Sequence, residues 1–378
     1  MTQSSFPPLD EIDRNFKGIT ASPDLEWIDA FDPRLAIRGL AWAQENRSFR
    51  RVPERVADSL SSAVQHLSRC PAGGFVAFRT NADEIAVRMA NSDTSAMSHM
   101  PLTGIAGAEL FILEHGAWIP LAVAVPPLAN PVFERRLVIG MGSRLREYRL
   151  YLPLYQPLQA LSIGVSPGAV VEPVPSTRKP IVFYGTSIAQ GGCASTTGSD
   201  YVATVGRMMG YDALNFGFSG SGKGEPEVAQ LISEIDAALF VIDYAANVEP
   251  GELQATLPAF HRILRERHPL TPIVILSSIS FTNARWNREL RLQQLARRDY
   301  MMKYYVEARE RGDLNLHFID GEGLLPSGID GTYVDGIHPT SAGFQRIAQN
   351  LVPQLQMILT WAPQANPAEV LTRATEER

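Results

Sequence analysis

Apolar residues along this chain follow two rhythms. Between residues 72 and 172 they come in short runs separated by turn signals: Phe75-Val-Ala-Phe-Arg-Thr80, Glu84-Ile-Ala-Val-Arg-Met89, Glu109-Leu-Phe-Ile-Leu-Glu114, Leu145 to Tyr155, and Ala160-Leu-Ser-Ile-Gly-Val165. Alternation such as that of Glu84 to Met89 puts apolar side chains on one face of an extended strand, so the segment predicts an antiparallel, all-β sandwich. Beyond the proline-rich stretch Pro173 to Pro180 the rhythm changes. Unbroken apolar runs at Ile181–Tyr184, Ala213–Phe216, Ala237–Ile242, Ile273–Leu276 and Leu314–Ile319 read as strands buried on both faces. Helical patterns lie between them near 199–210, 226–235, 251–268 and 285–311. The charges of the last stretch read as a solvated face. Strand alternating with helix implies a parallel sheet covered on both sides.

The expected organisation is therefore a sandwich domain over 1–175 with a short helical lead-in, an α/β domain over 176–365, and a polar tail at 366–378. At 378 residues the chain is long enough for two domains. A formal net charge of −6 without a basic run argues against nucleic acid as a partner. No apolar segment approaches the length of a membrane span, and the opening Met1 to Asp13 carries acidic residues where a secretory signal would be apolar. Cys70 and Cys193 are the only cysteines, which suits packing roles in a reducing cytoplasm.

In an open parallel sheet, ligands gather outside the carboxyl ends of the strands. The residues at those ends are Gly185-Thr-Ser187, the loop Asn215-Phe-Gly-Phe-Ser-Gly-Ser-Gly-Lys-Gly224, Asp243-Tyr-Ala-Ala-Asn247, and Asp335-Gly-Ile-His338. The glycine loop almost spells a phosphate cradle, but Gly224 stands where a metal-binding hydroxyl belongs. The other strand ends supply parts for acyl transfer. Ser187 is the candidate nucleophile, His338 its general base, and Asp335 the carboxylate that orients the imidazole. Backbone N–H groups of Ser187 and Gly220, with the Asn247 amide, are the candidate oxyanion donors. Neither a cofactor nor a metal site is read, because no pair of histidines shows ligand spacing with a carboxylate cluster. His261, His268 and His317 read as structural. His99, in Ser-His-Met-Pro, is weighed as a residue that could approach the cleft and is kept out of the site.

These four blocks resemble the SGNH, or GDSL, hydrolases, and the resemblance spans roughly residues 178 to 360. It implies a flavodoxin-like fold, esterase or occasionally acyltransferase activity, and the same roles for Ser187, Asp335, His338, Gly220 and Asn247. Gly107-Ala-Glu-Leu-Phe111 resembles the Gly-x-Asp-Leu-Tyr motif of a sandwich domain found ahead of one SGNH subgroup, which implies that the sandwich packs near the substrate cleft. Two positions depart from the pattern: Thr186 stands for the usual Asp, and Ala245-Ala-Asn247-Val248 keeps only the Asn of its block. The reading is a serine esterase acting on a small-molecule ester of a sugar or natural-product alcohol, with oligomeric state left open. Its competitors are an acyltransferase, a nucleotide-binding protein using Gly217 to Lys223, and a non-catalytic carbohydrate-binding protein.

Overall fold

The computed structural model describes residues 20–361, so the polar tail at 366–378 and the acidic opening segment lie outside it. The first half carries ten strands among the described residues: β1 (Glu26–Asp29), β2 (Ala36–Arg38), β3 (Phe75–Thr80), β4 (Ile85–Asn91), β5 (Ala108–Glu114), β6 (Ala117–Ala124), β7 (Val132–Val138), β8 (Arg146–Tyr151), β9 (Leu158–Val165) and β10 (Val171–Pro173). They form two antiparallel sheets, β1-β9-β4-β7 and β10-β3-β8-β5-β6, with β2 added alongside β3.

The pleat of the second sheet decides how the halves of the chain meet. Val76, Phe78, Leu110, Ile112, Tyr148 and Leu150 point into the sandwich core. Their neighbours Phe75, Ala77, Phe111 and Tyr151 point the other way and pack with Ala203 of the second half. Successive side chains on a strand face opposite sides, so this sheet is buried on both. Its inner strands consequently lack a clean polar alternation.

The second half contains β11 (Ile181–Gly185), β12 (Ala213–Gly217), β13 (Leu239–Asp243), β14 (Ile273–Leu276) and β15 (Leu316–Ile319). All pairs are parallel and the order is β12-β11-β13-β14-β15, the flavodoxin-like arrangement. Helices Tyr201–Met209, Pro226–Ile232, Pro250–Arg267 and Arg288–Glu310 match the four helical patterns in the sequence. A further helix, Ser341–Trp361, buries Phe344, Ile347, Leu351 and Leu355 at helical spacing despite Pro353 within it. The charged face of Arg288–Glu310 is not wholly solvated. Gln294 and Arg297 are buried, and Arg297 Nη1 donates to the Val248 carbonyl at 2.8 Å. Burying a guanidinium is tolerable only where its N–H groups find acceptors, and this one holds down the loop that carries Asn247.

Polar ties also cross between the halves. Arg38 on β2 grips Asp212 with two hydrogen bonds, of 2.5 and 3.0 Å, in a nearly buried ion pair. Arg51 is 1% exposed and faces no carboxylate. It donates instead to the carbonyls of Cys70, Leu67, Asn215 and Gly217 and stacks over Phe218. Burial lowers the Arg51 guanidinium to about 10, which leaves it charged at neutral pH. Among the described residues no helix is long and apolar enough to cross a membrane.

Candidate active site

The strand ends converge as the topology requires. The chain leaves β11 through Thr186, whose hydroxyl accepts from the Ile188 N–H and caps a short helix, Ser187–Gln190. Ser187 stands on its first turn, half-buried, with its N–H donating to none of the described residues. Gly192 follows the turn and has a steric reason to be glycine. A Cβ there would lie 3.0 Å from both the Ser187 carbonyl and the Tyr155 hydroxyl and 3.3 Å from the His338 ring.

Ser187 Oγ lies 2.8 Å from His338 Nε2, and His338 Nδ1 lies 2.7 Å from Asp335 Oδ2. The second Asp335 oxygen accepts the N–H groups of Ile337 and His338, so this carboxylate both shapes its turn and orients the imidazole. Burial alone would raise the Asp335 carboxyl, but the His338 and Ile337 N–H groups and the imidazole outweigh it and hold it down at about 2. The carboxylate is thus charged whenever His338 works as a base.

The glycine loop packs directly beside this chain of hydrogen bonds. Phe218 N–H donates to the Gly185 carbonyl and Ser219 N–H to Gln190 Oε1. Gly217 and Gly222 press so close to the nucleophile turn that a Cβ would fall 2.1 Å from the Gln190 nitrogen and 2.2 Å from the Gly185 oxygen. Gly220 itself is exposed, adopts φ of +63°, and has an N–H that donates to none of the described residues. Asn247 donates both amide hydrogens to this loop, at 3.0 Å to Gly222 O and 3.3 Å to Phe218 O. It does not cap the following helix; Glu249 does that through a capping box with Glu252. Lys223 is exposed, and its N–H donates to the Glu225 carboxylate. An acidic group at that end of the loop repels phosphate, a feature at odds with nucleotide binding.

Two site neighbours come from the sandwich half. The tight turn Met97–Met100 buries Met100 in the α/β core and carries His99, whose ring centroid lies 5.8 Å from that of His338. Tyr155 reaches the Ser187 carbonyl with its hydroxyl at 3.4 Å, from a segment whose Leu154 carbonyl accepts from Gln190. Nothing in the spacing of the sequence pointed to Tyr155. Its signals were its place in an apolar run that outlasts its strand by four residues and the resemblance of the stretch Glu147 to Tyr155 to the SGNH subgroup with a sandwich domain, neither of which gave it a role at the site. Both cysteines are buried and unpaired. Burial and the Asp335 charge push the Cys193 thiol up to about 12, so it does not compete with Ser187 as a nucleophile. Two of the three histidines read as structural are tied into the fold, His261 to Tyr304 and Asp313 and His268 to the Ser233 carbonyl, whereas the buried Nε2 of His317 meets no hydrogen-bond partner among the described residues. An open groove of about 420 Å³ flanks the Asp335–His338 loop, lined by Thr282, Arg285, Trp286, Ile329 and Tyr333 among others.

Residues 178–356 match the GDSL-like Lipase/Acylhydrolase family, and residues 25–171 match the N-terminus of Esterase_SGNH_hydro-type. A protein of Bacteroides ovatus ATCC 8483 described as a GDSL-like lipase is 31% identical, with a TM-score of 0.83 over 89% of this chain and 98% of that one. A salicylyl-acyltransferase from a tetracycline biosynthetic pathway shares the fold at 22% identity and a TM-score of 0.76, over 89% of this chain and 98% of its own. A family two carbohydrate esterase of Clostridium thermocellum shares it more distantly, at 15% identity and a TM-score of 0.56, over 77% of this chain and 94% of its own. No curated protein matches the chain.

Proposed function

The chain belongs to the GDSL-like lipase/acylhydrolase family and is an ester-hydrolysing enzyme, and from that premise we propose that it works as a serine esterase through an acyl-enzyme on Ser187. The observation that carries this reading is the continuous chain from Ser187 Oγ through His338 to Asp335, at 2.8 and 2.7 Å.

His338 Nε2 takes the Ser187 proton as Oγ attacks the carbonyl carbon of the ester. Charge builds on the carbonyl oxygen, where the N–H groups of Ser187 and Gly220 are available to receive it. Asn247 joins them by giving up its longer bond, the one to Phe218 O. As the tetrahedral intermediate collapses, the alcohol leaves with the proton held by His338. Water then attacks the acyl-enzyme with His338 again as base, releasing the acid and free Ser187. Asp335 stays ionised throughout and stabilises the imidazolium.

The substrate in this reading is a small acyl group on a sugar or natural-product alcohol, and the protein works in the cytoplasm without a cofactor. The groove beside the loop has room for an alcohol, so an acceptor held there could intercept the acyl-enzyme in place of water. Product analysis with and without candidate alcohols separates the two outcomes, since an acyltransferase yields little free acid when its acceptor is present. The primary test is intact-protein mass after treatment with a fluorophosphonate. One adduct is expected on the parent protein, none on Ser187→Ala, and slow labelling on His338→Ala. A folded parent protein that takes no adduct overturns the reading.

A further inference from the structure

His99, Cys193, Asp335 and His338 come from three separate stretches of chain, yet one ligating atom of each lies within 4.8 Å of all the others. We propose that these four side chains bind a divalent transition ion of the zinc type, and that the bound ion switches the hydrolase off; the switching rests on the reading given above, whereas the binding does not.

The donor set is two imidazoles, a thiolate and a carboxylate. That mixture suits zinc or cobalt and is wrong for magnesium or calcium, which prefer oxygen. Metal–ligand bonds of about 2.0–2.3 Å place the donors of a tetrahedral site roughly 3.3–3.8 Å apart, so the group must draw in by about an ångström. The fold allows that movement. Cys193 is buried, and Asp335 and His338 are fixed by the hydrogen bonds of their own turn. His99, exposed on its tight turn, is the arm free to close. Exposure of His99 and Asp335 also gives the ion a way in from solvent. Cys193 adopts φ of +74°, a left-handed conformation rare for a side-chain-bearing residue, and its thiol lies within 4.8 Å of the ligating atoms of His99, Asp335 and His338.

Coordination and catalysis exclude each other. An ion on His338 Nε2 removes the lone pair that accepts the Ser187 proton. On Nδ1 it displaces the Asp335 bond that orients the ring. Ligation of Cys193 exchanges its thiol proton for the metal, with no redox step.

The test uses the full chain freed of metal. Cobalt titration followed by absorption reads the thiolate ligand directly, and zinc titration by calorimetry reads affinity, both without any substrate. The expected result is a thiolate-to-cobalt charge-transfer band, lost in Cys193→Ser, with zinc binding weakened more than about tenfold in His99→Ala. Ester turnover, taken as the ratio with and without zinc for each variant, should fall sharply in the parent protein, recover on chelation, and resist zinc in both variants. Magnesium at the same concentration should change nothing. Absence of the charge-transfer band in the parent, or equal zinc sensitivity in all three proteins, overturns the proposal. A normal band in a protein that neither turns over esters nor takes the fluorophosphonate upholds the metal site and leaves the esterase reading to fall separately.

Discussion

At the scale of single residues, charge placement makes two forecasts. Asp335 touches His338 with one oxygen and its own turn with the other, so Asp335→Asn keeps the turn but presents an amide to the imidazole. Turnover is expected to drop roughly 1,000-fold with little change in substrate binding, checked by steady-state kinetics. Asp243 behaves oppositely. It closes β13, is buried, and meets one donor, the Tyr201 hydroxyl at 2.7 Å. Burial, against the pull of that bond, raises its carboxyl to about 7. A folded-state value above the unfolded one means that the native protein holds this proton more tightly. Stability is therefore full below about pH 3.8 as far as this group is concerned and declines as pH rises toward 7. Asp243→Asn keeps the hydrogen bond and removes that cost, so it should stabilise the protein at pH 8 by roughly 2–4 kcal/mol and much less at pH 4, measured by denaturant unfolding.

At the scale of elements, strand position separates what could be read from what could not. The runs at 75–80, 84–89, 109–114, 145–155 and 160–165 correspond to β3, β4, β5, β8 and β9, which are interior strands of the two sheets. The strands without a sequence signal are β1, β7, β10 and β6, which are the sheet edges, and the three-residue β2. Edge strands face solvent on more sides, tolerate proline such as Pro120 in β6, and so carry little hydrophobic pattern. The helix Ser341–Trp361 is a different case. Its apolar spacing was plain in the residues, but it begins just after the His338 motif and contains Pro353, a residue that argues for a break. The glycine loop depends on a support that no local pattern announces. Arg51 holds the carbonyls of Asn215 and Gly217 at its base. Arg51→Met leaves buried acceptors unpaired and is expected to cost about 3 kcal/mol or more in denaturant unfolding and to slow fluorophosphonate labelling of Ser187.

At the scale of the whole molecule, the two halves share their cores. Met100, Ile105 and Leu154 pack with the α/β residues around Phe183, while Val52, Leu60 and Val64 pack on the other side with Phe216 and Phe218. Apolar surface shared in this way couples unfolding, so scanning calorimetry should show one transition rather than two. A chain cut to residues 176–361 would expose Ala203 and the surfaces around Phe183 and Phe216, and would lose His99, Arg51 and Tyr155. It should fail to give a cooperative transition.

By itself the sequence determined the class of each half, the parallel sheet and four of its helices, and it singled out Ser187, Asp335 and His338 as the candidates that the fold then brings within hydrogen-bond reach, because buried strands and strand-end motifs are written in contiguous residues. The glycine loop's departure from a phosphate cradle is legible in the same way, since the missing hydroxyl at Gly224 is a local fact. Only the tertiary structure decided that Asn247 first serves the loop, that Tyr155 and His99 arrive at the site from the sandwich half, and that four possible metal ligands meet beside the nucleophile. Those placements depend on how separate elements seat on one another, the sandwich half on the α/β half for Tyr155 and His99 and one strand-end loop on another for Asn247. Contacts between residues far apart in the chain, 25 positions for Asn247 and Gly222 and 32 for Tyr155 and Ser187, leave no periodicity for a single chain to display.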